Sequence, residues 1–236
     1  MSMYQKLAPA YDRVFPVEAE TIDFLVHSFP SGISLLDVGS GTGAVAFAMG
    51  GKGFSVLGLE PDAEMLQVAN NKHRIPGVVS FGPQGVSEID EKEVFEGAYC
   101  IGNVLPHLSS QGEVLNTLKR LRAAIKTFGG LVVQTVNYDR ILKRKITSLP
   151  PLEAEGTVLE REYRFLSRKI RFTTRLVENG VPTASGSVDL LPLKARTLKR
   201  MFERAGFVDV ELFDGFSNRP FDPETSFALV VRGYIR

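Results

Sequence analysis

The sequence predicts an α/β chain: a doubly wound, mostly parallel sheet carrying an antiparallel β insertion. Short, nearly continuous apolar runs alternate with helix-period segments as far as Val136. Glycine clusters punctuate them. From Gly156 to about Leu191 the rhythm changes to residue-by-residue alternation around an Asn179-Gly180 pair. Strands separated by helices require crossover connections and therefore parallel pairing, whereas alternation with a tight Asn-Gly turn reads as hairpins.

The elements follow in chain order. Ile33 to Val38 (ISLLDV) is a buried strand ending at Gly39, and Ala44 to Met49 is a helix stopped by Gly50 to Gly53. Phe54 to Leu59 is a second strand, closed by Glu60. Pro61 suits the first turn of a helix over Ala63 to Asn70, where Ala63, Leu66 and Ala69 keep helical spacing. Val78 to Phe81 and Ala98 to Ile101 are two more strands. Ser110 to Lys126 places Val114, Leu118, Leu121 and Ile125 on one face of an amphipathic helix, which Gly129-Gly130 is expected to end before a fifth strand at Leu131 to Val136. About three antiparallel strands are expected within an insertion at 144–193, covering one end of the sheet. Lys194 to Ala205 is a helix stopped by Gly206, and Val208 to Phe213 and Phe227 to Ile235 are closing strands. No repeat or linker divides the 236 residues, so one domain is expected, with residues 1–30 as an N-terminal segment and 144–193 as a cap.

Composition narrows the function classes. The 28 Lys and Arg balance 27 Asp and Glu, which argues against a general pull toward nucleic acid or an anionic membrane. No apolar run reaches the roughly 18 residues of a spanning helix, and the N-terminus lacks a signal-peptide core. Cys100 is the only cysteine, so neither an internal disulfide nor a Cys-based zinc site can form, and no metal site is expected. A cytoplasmic protein is the expectation.

Chemistry concentrates in Leu35-Leu36-Asp37-Val38-Gly39-Ser40-Gly41-Thr42-Gly43, between the first strand and its helix. Alternate glycines allow a tight turn and close approach of a ligand at the carboxyl end of the sheet. Glu60, 21 positions after Gly39, ends the next strand, where a carboxylate can accept both hydroxyls of an adenosyl ribose. Gly39, Gly41 and Ala44 also satisfy a dinucleotide fingerprint, which would make the chain an NAD-dependent oxidoreductase. Asp37 opposes that reading, because its carboxylate would repel a pyrophosphate and favour a cationic sulfonium and ammonium. Asp37 could instead simply cap the helix or bond loop amides.

With these residues, the chain resembles the class I S-adenosylmethionine-dependent methyltransferase family. The resemblance rests on LDVGSGTG at 36–43, on Glu60-Pro61, on Gly129-Gly130, and on the last helix with its two strands. It implies a seven-stranded Rossmann-like sheet whose last strand, Phe227 to Ile235, is antiparallel, with the β cap inserted after strand five. It implies that Asp37 bonds the methionine end of the cofactor, that Gly39, Ser40, Gly41 and Gly43 line it, that Glu60 holds the ribose, and that Pro61 to Met65 flank the adenine. Many members carry an acid after the third strand that bonds the adenine amino group. Phe81-Gly82-Pro83-Gln84-Gly85-Val86 has none there, leaving the Gln84 carbonyl or backbone near Gly85 and Val86 as the acceptor. That exchange should cost about 1 kcal/mol.

Two stretches point to the reacting end. Cys100-Ile101-Gly102-Asn103-Val104-Leu105-Pro106-His107-Leu108 is similar to the C-x-G-N-S-x-x-H-L stretch of glycine- and sarcosine-type N-methyltransferases, with Val104 in place of the serine. Gly102 and Asn103 are thereby expected beside the methyl group. Tyr4-x-x-Leu7-Ala8-x-x-Tyr11-Asp12 resembles a segment that folds over the cofactor in many small-molecule methyltransferases and brings tyrosine hydroxyls near the methionine carboxylate or the substrate. His107 is the expected proton acceptor with Tyr11 as the alternative, and Asn103 completes the catalytic candidates. Each has a plainer role open to it: Asn103 as a cap, His107 in packing beside Leu105 and Leu108, the tyrosines as one side of a helix.

The expected function is methyl transfer from S-adenosylmethionine to a small molecule, an amine or amino-acid-like compound. The basic run Arg161, Arg164, Arg168, Lys169, Arg171 and Arg175 also admits an RNA or protein methyltransferase, although no RNA-binding module is visible. A catalytically silent scaffold would have no need of Glu60. A cap of this kind leaves a homodimer open.

Overall fold

The computed structural model describes residues 7–29, 34–72 and 78–236, so Tyr4 and Ile33 lie outside the described residues. Among the described residues eleven strands run in chain order: β1 Ser34–Val38, β2 Ser55–Leu59, β3 Val79–Gly82, β4 Phe95–Cys100, β5 Ile125–Val136, β6 Ser148–Ala154, β7 Thr157–Phe165, β8 Ile170–Glu178, β9 Val181–Leu190, β10 Val208–Asp214 and β11 Ala228–Tyr234. The same residues form seven α-helices: α1 Tyr11–Val14, α2 Ala19–Ser28, α3 Ala44–Gly51, α4 Ala63–Asn71, α5 Gln111–Ala124, α6 Tyr138–Arg144 and α7 Ala195–Ala205. The main sheet has seven strands in the order β10-β11-β5-β4-β1-β2-β3, and the second has four, β6-β7-β8-β9.

Parallel pairing joins β3, β2, β1, β4 and β5, while β11 runs against both β5 and β10. This is the doubly wound sheet with a reversed last strand that the apolar runs predict. The centre of β1, Leu35 and Leu36, is fully buried with helices on both faces, which is why its sequence is apolar without alternation. Strand order reverses between β1 and β4, and the loops leaving these two strands open the crevice in which ligands of such sheets bind.

Four expectations are corrected. Gly129-Gly130 does not stop α5; the helix ends at Ala124 and Ile125 turns straight into β5, pairing with Phe95. The glycines instead serve an irregularity in the strand, for a Cβ on Gly129 would sit 2.4 Å from the Glu96 carbonyl oxygen. The cap holds four strands rather than three, because β6 pairs along its edge in spite of Pro150 and Pro151. Prolines lack the donor that a central strand needs, and this hid it from a strand pattern. Pro61 precedes α4, whose N-cap is Asp62, accepting from the Glu64 and Met65 amides. Helices α2 and α6 lie in segments where no helix is expected.

The cap turns are as read. Asn179 and Gly180 both take positive φ, 50° and 79°, as a two-residue hairpin requires. α7 buries Leu198, Met201, Phe202 and Ala205 against the core and ends at Gly206 with φ 99°. The cap is tied to the main sheet through Tyr163, Ile170 and Leu193, which share a buried cluster with Leu105 and Val133. No helix among the described residues is long and apolar enough to cross a membrane.

Candidate active site

The glycine loop is shaped by its backbone. Gly39, Gly41 and Gly43 have φ of 73°, 55° and 75°, a region that side-chain-bearing residues rarely occupy. Space is equally restrictive. A Cβ on Gly39 would lie 2.5 Å from a Val104 methyl, and one on Gly43 would lie 2.4 Å from the Phe81 ring. The Gly39 and Ser40 amides donate to the Leu59 carbonyl, fastening the loop to the end of β2. There Glu60 accepts the Gly41 amide on Oε2 at 2.9 Å and the Asp62 amide on Oε1 at 2.8 Å. Burial raises its pKa above the ordinary value while these two amides pull it down. Each oxygen retains a second lone pair for a ligand hydroxyl.

A cavity of about 400 Å³ opens over this loop. Glu60, Pro61, Met65, Val86, Val104, His107 and Leu108 are among the residues that line it. Beside it a second cavity of about 200 Å³ is lined by Asp37, Ser40, Thr42 and Glu18. The two share Tyr11, Gly39, Gly41, Ile101 and Gly102 as walls. Tyr11 comes from α1, and burial, then Glu60 and Asp12, push its hydroxyl up to about 12, so it keeps its proton at neutral pH. Burial lowers the His107 pKa, which leaves its imidazole neutral at neutral pH.

Asp37 is the electrostatic focus. It is buried in β1 opposite Tyr99 of β4, and its Oδ2 has no hydrogen-bond partner among the described residues. Burial is the main cause that pushes its pKa up to about 8, Glu60 adds to the rise, and the nearby Tyr99 hydroxyl opposes it. The Ser40 hydroxyl oxygen is likewise buried without a partner among the described residues. Buried polar atoms left unpaired are costly, so a cluster of them against a cavity marks a place for a ligand donor. An ammonium fits there; a pyrophosphate does not.

The sequence-derived residues separate by position. Tyr11, Gly39, Gly41, Glu60, Pro61, Met65, Val86, Gly102 and His107 line the larger cavity, and Asp37 and Ser40 the smaller. Gly43 lies beneath, at the N-cap of α3. Gln84 is exposed and folds back over Gly82, and the Gly85 amide donates to Glu88 Oε2 at 2.5 Å, so neither wall includes them. Asn103, with φ 66°, turns the other way: its Nδ2 is 3.1 Å from the Tyr138 hydroxyl and its Oδ1 accepts the Val136 amide at 3.2 Å. Val104 and Leu108 also line the larger cavity and Thr42 the smaller; Val104 and Leu108 flank His107 in a short apolar stretch whose direction only the fold supplies.

The crevice of this doubly wound sheet thus holds two buried carboxyl groups, Glu60 at the end of β2 and Asp37 within β1, beside a glycine loop. The chain belongs to the methyltransferase domain family, which matches residues 12–212. Its methyl donor is S-adenosylmethionine, and the orphaned Asp37 and Ser40 oxygens, the glycine cradle and Glu60 fit that group. The chain is 25% identical to a glycine/sarcosine N-methyltransferase of Aphanothece halophytica, across 84% of this chain and 74% of that one. Among solved structures it is similar to the CcbJ methyltransferase of Streptomyces caelestis, with TM-score 0.80 and 21% identity over 100% and 99% of the two chains. It is also similar to SAM-bound CalS10, an amino pentose methyltransferase of Micromonospora echinaspora, with TM-score 0.71 and 21% identity over 95% of each chain.

Proposed function

We propose that this methyltransferase acts on a small amine or amino-acid-like acceptor by in-line displacement, with residues 1–236 forming one domain. The observation that carries the reading is the position of His107, a neutral imidazole on the wall of the same cavity that Glu60 lines. When bound, S-adenosylmethionine supplies a methyl group on a sulfonium, and no enzyme nucleophile is required. Cys100 agrees with that, being buried with its thiol pKa pushed up. The chain's task is to position the acceptor, exclude water and remove a proton from an ammonium. His107 takes that proton, while Tyr11, which holds its own, donates a hydrogen bond. The glycine/sarcosine and amino pentose methyltransferases named above support an amine.

The test is methyl transfer from labelled S-adenosylmethionine to a panel of amino acids, simple amines and amino sugars, with wild type and His107→Asn. The expected result is a fall in kcat/KM of about 100-fold at pH 7 with S-adenosylhomocysteine affinity retained. Unchanged turnover from about pH 6 to 9 would remove the role given to His107.

A further inference from the structure

The ladder between β4 and β5 stops short of the site. Cys100 and Val133 are its last register partners, and β4 ends there, so Ile101 and Gly102 continue without a neighbouring strand to bond. Gly102 and Asn103 then take φ of 89° and 66°, two successive residues in the left-handed region that swing the chain out of the strand direction. Residues of β5 and α6 hold this turn. Gln134 Oε1 accepts the Gly102 amide at 2.8 Å, Asn103 Oδ1 accepts the Val136 amide at 3.2 Å, and Asn103 Nδ2 donates to the Tyr138 hydroxyl at 3.1 Å.

Gln134 is not explained by packing. Leu131, Val132, Val133 and Thr135 around it are buried, and its partner on β11 is Val230, yet this one position carries a long amide and is half-buried. It lines neither cavity, whereas Ile101 and Gly102 wall both. Its bond therefore acts through the loop. A peptide unit is planar and trans, so the Ile101 carbonyl points opposite to the Gly102 N–H. β4 lies between β5 and β1, and drawing that amide toward Gln134 on β5 turns the Ile101 carbonyl to the β1 side. Asp37 is on that side, paired with Tyr99 two residues before Ile101. An ammonium has three donors and is served by more than one acceptor.

We propose that Gln134 is a positioning residue for the cofactor: by holding the Gly102 amide, it aims the Ile101 carbonyl at the methionine ammonium that Asp37 attracts. This rests on the methyl-transfer reading and adds to it a residue that touches no ligand. The test is calorimetry on wild type, Gln134→Leu and Gln134→Glu with two ligands, S-adenosylhomocysteine and methylthioadenosine, which keeps the adenosine and the thioether but has no amino-acid tail. Gln134→Leu is expected to bind S-adenosylhomocysteine about tenfold more weakly and methylthioadenosine as wild type does. Gln134→Glu keeps an acceptor for the Gly102 amide and should hold S-adenosylhomocysteine close to wild type. Equal weakening of both ligands, unchanged S-adenosylhomocysteine affinity in Gln134→Leu, or a loss in Gln134→Glu as large as in Gln134→Leu overturns the proposal. Melting temperature is followed alongside; should Gln134→Leu not fold, Gln134→Asn, whose amide is one methylene short of Gly102, takes its place with the same outcomes. Failure of S-adenosylhomocysteine to bind wild type would instead overturn the methyl-transfer reading beneath it.

Discussion

Asp12 accepts a hydrogen bond from the Thr42 hydroxyl on Oδ1 at 2.5 Å, while its Oδ2 meets the Lys72 ammonium at 2.6 Å. One residue of α1 is thus fastened to the glycine loop and to the residue that follows α4. The opposite side of the same short segment, Leu7, Ala10 and Val14, packs on Leu159 and Leu176 of the cap. Arg13 adds an ion pair to Glu178 of β8 at 3.1 Å. The segment therefore links the cap to the glycine loop, and its Tyr11 lines both cavities there.

Removing that fastening should free the ligand before it harms the fold. In Asp12→Ala, S-adenosylhomocysteine should dissociate about tenfold faster. Stability should fall by no more than about 1 kcal/mol, because Asp12 and Lys72 are both partly exposed. Stopped-flow dissociation and thermal melting measure the two effects, and an unchanged dissociation rate would show that Asp12 does not secure the segment.

Asp37 makes the ligand-free protein sensitive to pH in a defined direction. Its folded pKa of about 8 stands above the ordinary 3.8, so the folded chain keeps a proton that the unfolded chain releases. The associated stability is complete below about pH 4 and is lost as pH rises through about 8. Asp37→Asn has no such loss. Melting curves across that window should show the variant gaining on wild type as pH rises; a gap independent of pH would contradict the burial of this carboxyl.

Gly43 and Phe81 form a steric pair. Gly43→Ala should destabilise by about 2–3 kcal/mol, combining strain at positive φ with overlap against the ring. Adding Phe81→Leu should restore about half, since space is regained and the backbone strain is not. Denaturant unfolding of the two single variants and the double variant gives the coupling directly. Additive losses would mean that the ring does not limit this position.

Asn103 allows packing and ligand contact to be told apart. Asn103→Gly keeps the positive φ and removes the bonds to Val136 and Tyr138, so a loss of about 1–2 kcal/mol is expected with cofactor affinity nearly unchanged. A large fall in S-adenosylhomocysteine affinity at undiminished stability would instead place the side chain against the ligand. Paired melting and titration experiments decide between them.

The parts of this molecule legible in its sequence are those governed by local rules. Alternate glycines after an apolar run, an acid closing the following strand, and an Asn-Gly turn each state their geometry within a few residues. The less legible parts depend on pairing across the chain. Asp12 and Thr42 are 30 positions apart, and nothing in either neighbourhood names the other. Alternation in the cap shows that its arginines divide between two faces, but only the strand register assigns Arg161 inward and Arg164 outward. Asn103 lies in a family-like stretch near His107, yet with its positive φ its side chain bonds Tyr138 and the Val136 amide, while His107 lines the cavity. β6 is not legible in the sequence because two adjacent prolines contradict a strand everywhere except at an edge.

Titration calorimetry with S-adenosylhomocysteine at pH 7, repeated in buffers of different ionisation enthalpy and paired with NAD, examines the cation-seeking groove itself. The ligand ammonium should draw Asp37 into its charged form, so binding should release close to one proton, approximately, to the buffer, and Asp37→Asn should abolish that release. NAD should give no binding heat. Tight NAD binding with S-adenosylhomocysteine silent would contradict the assignment.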